Sequence, residues 1–239
     1  MNLHSGARAA ALSQRLQGQS VSQAIASLTR LFPGGVVFST SFGTEDQVIT
    51  HHIAAHQLPV QLFTLDTGRL FPETYATWAS TLASYPVSIR SYAPDAEALQ
   101  AYVTEHGPDA FYQSPELRKA CCAVRKVEPL QKALQGFEVW ITGVRAEHSP
   151  TRNDLQLVEW DEGNQIFKFN PLLHWTTEEV MAYLKQHHVP YNPLTEKGFV
   201  SIGCQPCTRA IRPGEDFRAG RWWWEDNSKK ECGLHVRQS

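Results

Sequence analysis

V-V-F-S-T-S-F-G-T-E-D, residues 36–46, reads as a buried strand, a turn of small and hydroxylated residues, and the opening of a helix. The apolar run 36–39 is short and rich in β-branched residues, which suits a strand covered on both faces. The same alternation continues along the chain. Apolar runs at 60–65, 87–92 and 139–142 read as further strands, and 167–170 as a fifth. Between them, 46–56, 73–84, 95–106 and 129–134 carry helical periodicity or start signals, and 177–187 follows as a capped helix with Glu178 and Glu179 in its first turn. Strands alternating with helices predict an α/β fold, a doubly wound and mostly parallel sheet whose ligands bind beyond the C-terminal strand ends. Residues 1–16 alternate Ala and Leu with polar side chains and suit a short amphipathic helix. From about residue 191 the pattern gives way to Pro, Gly, Arg and Trp. The expectation is one domain over 1–239, with a core at about 20–210 and a mobile functional tail at about 211–239.

Composition narrows the class. A chain of 239 residues with 42% hydrophobic content can bury a full core, and its net charge of −2 argues against nucleic acid as the main partner. The first residues lack the apolar core of a signal peptide, and no apolar run is long enough for a membrane span. A cytoplasmic protein without a membrane partner is expected, and a homo-oligomer is compatible with it. In that compartment five cysteines favour metal or redox chemistry over disulfides.

Three strand ends carry polar loops. In the first, Ser39, Ser41, Gly43 and Thr44 leave backbone N–H groups free to face an anion at a helix N-terminus, or form an ordinary capped turn. It is not a Walker A loop, since the G-K-S/T ending is missing. The second strand ends in L-D-T-G-R, where Asp66 and Gly68 can approach a ribose or base, or make a polar turn. The fourth ends in T-G-V-R-A-E-H-S-P-T-R, residues 142–152, offering Arg145 and Arg152 as forked donors for phosphate or sulfate. Their convergence favours nucleotide binding.

Cys121 and Cys122 are adjacent, while Cys204 and Cys207 form a C-Q-P-C turn. Four thiolates able to converge suit a zinc ion or an iron–sulfur cluster, with buried thiols as the bland alternative. Adjacent ligands are strained around one ion and easier on a larger cubane. Arg118, Lys119, Arg125 and Lys126 surround the pair and can offset thiolate charge or reach an anionic substrate. Cys232 stands apart in K-K-E-C-G-L-H, where Lys229, Lys230 and His235 favour the nucleophilic thiolate and Glu231 opposes it. Just upstream, R-A-G-R-W-W-W-E sets Arg218 and Arg221 about one helical turn apart, with Trp222–Trp224 serving mainly as packing.

Together these residues resemble the assimilatory adenosine 5′-phosphosulfate (APS) reductases, relatives of the 3′-phospho-APS (PAPS) reductases. The resemblance rests on S-F-G-T-E-D (41–46), L-D-T-G-R (65–69), C-C-A-V-R-K-V-E-P-L (121–130) and G-V-R-A-E-H-S-P-T-R (143–152). It continues through F-K-F-N-P-L (167–172), C-Q-P-C-T-R (204–209), R-A-G-R-W-W-W-E (218–225) and K-K-E-C-G-L-H (229–235). It implies an adenine-nucleotide α-hydrolase-like fold, akin to ATP pyrophosphatases, and a [4Fe–4S] cluster on Cys121, Cys122, Cys204 and Cys207. It further implies Cys232 as nucleophile, aided by His235 and Lys126, an S-sulfonate intermediate, and thioredoxin as reductant. Phosphosulfate would be neutralised by Arg145, Arg152, Arg218, Arg221 and Lys126. The rival readings are a PAPS or dual-specificity reductase with the same cluster and an ATP-pyrophosphatase-type sulfur-transfer enzyme, which the missing S-G-G-x-D-S loop disfavours. A zinc-stabilised binding module leaves the surroundings of Cys232 unexplained.

Overall fold

In the structure, a computed structural model that describes residues 3–148 and 155–225, the alternation becomes a layered α/β sheet. Helices α1 (Leu3–Leu16) and α2 (Val21–Leu31) precede β1 (Val36–Ser39) and α3 (Thr44–Ala55). There follow β2 (Gln61–Leu65), α4 (Pro72–Ser84), β3 (Ile89–Tyr92), α5 (Ala96–His106), α6 (Pro115–Cys122) and α7 (Glu128–Leu134). The chain closes with β4 (Val139–Ile141), β5 (Val158–Asp161), β6 (Ile166–Phe169) and α8 (Thr177–Gln186). Sequence expectation and structure agree on the sheet, on α1, α3, α4, α5, α7 and α8, and on strand positions to within a few residues.

Strand order is β3-β2-β1-β4-β6-β5, parallel throughout except that β5 runs antiparallel to β6. The direction of winding reverses between β1 and β4, which opens a crevice at their C-terminal ends. Alternation along each strand feeds two cores. Val36 and Phe38, Val139 and Ile141, and Phe167 and Phe169 pack with α1, α2, α3 and α8 on one face. Val37, Phe63, Trp140 and Ile166 meet Leu130, Ala133 and Leu134 of α7 on the other.

Helices α2 and α6 and strand β5 lie beyond the sequence expectation. Helix α2 starts with a capping box between Ser20 and Gln23 and buries Val21, Ala24, Ile25 and Leu28 at helical spacing. Strand β5 reads V-E-W-D and pairs only at the sheet edge. Helices α6 and α7 are joined by a π-helical turn, Ala123–Val127. Pro129 has no N–H to offer the Arg125 carbonyl and falls two residues after the end of this widened turn, in the first turn of α7, which accommodates it. The first part of the expected tail, 211–225, is held against the core. Ile211 N–H donates to the Gly198 carbonyl (2.9 Å), Trp222 N–H to the Cys207 carbonyl (3.1 Å), and Arg209 N–H to the Gly220 carbonyl (2.9 Å).

Candidate active site

Beyond the ends of β1, β2 and β4 lies a cavity of about 280 Å³. Ser39, Ser41, Gly43 and Thr44 line it, as expected of the first loop, and so do Lys126, Arg218 and Arg221. The loop turns at Phe42, whose φ of +61° lies in the left-handed region, a strained choice for a bulky residue. Its ring is buried and stacks on Trp78, 5.4 Å between centroids, which holds the turn in place. Ser39 Oγ accepts from Trp140 Nε1 (2.8 Å), so this hydroxyl is oriented by the neighbouring strand. Gly43 opens α3 without a side-chain cap.

Asp46 is the residue the sequence reading passed over. Its Oδ2 accepts from Ser41 N–H (2.6 Å) and Ser41 Oγ (2.7 Å), and it lines the cavity while only 8% exposed. Burial pushes its carboxyl up to about 6, against the hydrogen bonds from Ser41. A Cβ on Gly143 would collide with Asp46 Oδ1, which explains glycine there: the β1 and β4 loops touch backbone to carboxylate.

Arg145 does not join the cavity lining. It is 1% exposed and held from several elements: Nε donates to Glu45 (2.8 Å), Nη1 to the Trp175 carbonyl (2.9 Å) and to Glu147, and Nη2 to Thr177 (3.0 Å). The phosphate role expected of it from the sequence gives way, in this geometry, to tying the β4 loop to α3 and α8. Asp66 and Gly68 also stand outside the lining. Asp66 Oδ1 accepts from Tyr75 Oη (2.7 Å) and Gly68 N–H (2.9 Å), and Gly68 takes φ +67°. Arg152, Cys232 and His235 lie outside the described residues.

The sequence reading missed the 199–203 wall. Phe199, Val200, Ser201, Ile202 and Gly203 close one side of the cavity from a segment with no charge and no periodicity to flag it. A Cβ on Gly203 would collide with the Arg221 guanidinium, so glycine lets this arginine lie flat against the backbone.

The four cysteines are brought together. Cys121, Cys122, Cys204 and Cys207 are all buried free thiols lining a second, small cavity with Arg69, Arg118, Arg125, Lys126 and Trp222. Burial pushes the Cys121 thiol up, and burial with the neighbouring Cys204 pushes Cys207 up to about 12. Burial works the same way on Cys204, yet Lys126 and a hydrogen bond to Thr67 Oγ1 (3.3 Å) hold it below the usual thiol range. Among the described residues, no three or more His, Cys, Asp or Glu are set to hold a single metal ion; the four thiols stand around the cavity instead. Two buried donors on the cavity's lining residues, Arg125 Nε and Trp222 Nε1, have no hydrogen-bond partner among the described residues. Arg125 Nη1 reaches the Thr67 carbonyl at 2.6 Å.

Lys126 lines both cavities. Trp222 lies between their cations, with Arg118 4.5 Å, Arg221 4.9 Å and Arg218 5.8 Å from its ring centroid. Arg118 makes a bidentate bond with Glu225, at 2.6 and 3.0 Å, that is shut off from water.

Residues 35–210 match the phosphoadenosine phosphosulfate reductase domain. The adenosine 5′-phosphosulfate reductase of Allochromatium vinosum is 52% identical over 203 residues, 85% of this chain and 79% of that one. Its namesake from Sinorhizobium fredii (strain USDA 257) is 45% identical over 98% of this chain and 92% of its own. Among solved structures, the phosphate complex of phosphoadenylyl-sulfate reductase from Candida auris is 30% identical with a TM-score of 0.72, covering 84% of this chain and 94% of that one. The FMN adenylyltransferase of Candida glabrata, with FAD and pyrophosphate, shares the fold alone: 16% identity, TM-score 0.52, 95% and 86% coverage.

Proposed function

The chain belongs to the phosphoadenosine phosphosulfate reductase domain family, and we propose that it reduces APS to sulfite and AMP with thioredoxin as reductant and a [4Fe–4S] cluster bound. It is an oxidoreductase acting on a sulfur group, on an adenine-nucleotide α-hydrolase-like fold. The observation that carries the reading is the pair of adjoining cavities, one lined by nucleotide-loop residues and three cations, the other by four thiols, with Lys126 common to both. The preference for APS follows the relatives named for it at 45–52% identity.

The residues present fit a cluster. Cys121, Cys122, Cys204 and Cys207 would hold it, an all-thiolate set arranged around a cavity. Arg118, Arg125 and Lys126 would offset its charge, and the unpartnered Arg125 and Trp222 donors would find acceptors in sulfide or thiolate. When bound, the cluster supplies structure and local charge; both electrons come from thioredoxin.

The substrate is an anion attacked by an anion, so the chain's first task is neutralisation. Lys126, Arg218 and Arg221 converge on the cavity and cost no reorganisation when charge shifts toward the leaving AMP. In the reading carried over by resemblance, the Cys232 thiolate attacks the sulfate sulfur. The S–O bond to AMP breaks, leaving Cys232–S–SO₃⁻. A thioredoxin thiolate then attacks Cys232 Sγ and expels sulfite. The second thioredoxin thiol resolves the mixed disulfide, which returns the Cys232 thiolate and oxidises thioredoxin by two electrons. His235 helps hold the thiolate. Among the described residues no helix is long and apolar enough to cross a membrane.

The test is anaerobic intact-mass spectrometry after mixing the reduced protein with APS in the absence of thiol. One added SO₃, mapped to Cys232, removed by thioredoxin and missing from Cys232→Ser, is the expected result. Sustained sulfite production by Cys232→Ser would remove the nucleophile assignment.

A further inference from the structure

Histidine and tyrosine rings gather where the C-terminal ends of α3 and α8 meet, and none of them lines either cavity. His51, His52 and the cap residue His56 come from α3, Tyr183 and the cap residue His187 from α8, and Tyr85 from the end of α4. Ring centroids stand 5.1 Å apart for His51 and His187, 4.3 Å for Tyr183 and His187, and 5.0 Å for His52 and Tyr183. His52 also stacks on His56 at 6.1 Å, and Tyr85 lies 5.8 Å from His51. His51 Nδ1 and Tyr183 Oη share a hydrogen bond of 2.7 Å. Both ring nitrogens of His52 are buried with no hydrogen-bond partner among the described residues. The acids of these helices, Glu45, Asp46, Glu73, Glu178 and Glu179, all stand in the first turns, at the opposite ends. The charge that α8 brings to its last turn, Lys185, is positive. Helix α2, which also packs on α3, carries Arg30, bonded to Ser27. A ring protonated here is a cation among like charges, and at His52 it has no acceptor. Burial and the neighbouring histidines hold His51 below the usual range and His52 at about 4. Burial, with Tyr85 beside it, lifts Tyr183 to about 12, so it contributes a neutral hydroxyl.

This group sits at the root of a cavity wall. Beyond the His187 cap, His188 turns at φ +51°, and Gln47 Nε2 of α3 donates to the Pro190 carbonyl (2.6 Å). The chain then passes Asn192, whose Nδ2 donates to Thr74 Oγ1 of α4 (3.1 Å), and reaches the 199–203 wall of the nucleotide cavity. We propose that the histidine group is an acid-sensitive latch: neutral rings hold α8 and the wall that follows it against α3, and protonation releases them. The latch goes beyond the nucleotide reading, and only its effect on a ligand rests on that reading. His52 sets the sign. In a released state the ring takes its proton near 6.5, whereas the packed ring refuses it down to about 4. The closed arrangement therefore keeps its full advantage above 6.5 and loses it as pH falls toward 4. Between pH 7.5 and 5.5 the released state gains about tenfold on the closed one through His52.

Hydrogen exchange of the cluster-loaded protein, corrected for the intrinsic rate at each pH, reads the opening of α8 and of the chain to residue 203. Calorimetric titration with AMP reads the cavity. Protection is expected to fall about tenfold from pH 7.5 to 5.5, and AMP affinity to fall with it. His52→Phe keeps a ring against Tyr183 that takes no proton, and most of the fall in both should disappear. Comparing wild type with variant at each pH removes the titration of the AMP phosphate itself. His52→Gln is a second neutral variant, so the comparison survives if the added ring does not pack. An equal fall in a folded neutral variant would overturn the latch. A fall in protection with AMP affinity matching the variant's at every pH would overturn its reach to the cavity. Wild-type protein that binds no AMP even at pH 7.5 would overturn the nucleotide reading, and the exchange comparison would still decide the latch.

Discussion

Asp46 carries a cost that single-residue thermodynamics makes measurable. Its carboxyl moves from 3.8 to about 6 on folding, because burial disfavours the anion and the neighbouring Glu45 adds to this against the Ser41 bonds. A raised acid pKa means that the folded chain keeps a proton which the unfolded chain releases. Stability is therefore highest below the unfolded value and falls as pH climbs through the folded one, by about 3 kcal/mol in all. Asp46→Asn should remove that slope. Its melting temperature should exceed the wild type's at pH 7.5, and the gap should close toward pH 4; a constant gap would show that the carboxylate is not the cause. Arg145 teaches the complementary lesson. Its place after a strand end and its residue type are visible in the sequence, but Glu45, Glu147 and Thr177 come from distant positions and meet only when β4, α3 and α8 are packed. No local pattern announces that convergence, so an interior tie reads as a ligand clamp.

Among elements, legibility tracks how strongly an element's own residues dictate its burial. Strands β1 and β4 are apolar runs covered on both faces, and V-V-F and V-W-I leave few alternatives. The edge strand β5 alternates polar and apolar residues and takes its strand character from pairing with β6, which a sequence does not display. The C-terminal segment is the extreme case. It reads as irregular, yet Arg118 of α6 grips Glu225 through two hydrogen bonds in a dry interior, over the Trp222 ring. Such a pair says little about net stability while intact, because desolvation offsets attraction. Breaking it is different. Glu225→Gln removes the carboxylate charge that faces the guanidinium in that interior and should lower unfolding stability by about 3–5 kcal/mol. Chemical denaturation measures this, and a loss under about 1 kcal/mol would mean that water or another acceptor reaches Arg118.

At the scale of the molecule, the fold sets two chemistries side by side. The winding reversal between β1 and β4 opens the nucleotide cavity, and the α6–π–α7 run passes beside it carrying Cys121 and Cys122 on one turn and Lys126 on the next. The π turn matters because an extra residue per turn shifts the helical phase, and Lys126 then lines both cavities from one backbone position. The convergence of the four cysteines with cations beside them was legible; the wall that residues 199–203 give the nucleotide cavity was not, since it needs that segment folded back over the strand ends. Lys126 also draws Cys204 toward the thiolate, so its charge serves whichever anion is beside it. Lys126→Ala should therefore separate the two duties. Iron and sulfide content should match the wild type, because four cysteines and Arg118 and Arg125 remain. Formation of the protein S-sulfonate from APS, followed by rapid quenching and mass spectrometry, should slow on the order of a hundredfold. A normal rate with full cluster content would mean that the cavities adjoin without acting on each other. A slowed rate accompanied by iron loss would assign Lys126 to holding the cysteine site instead.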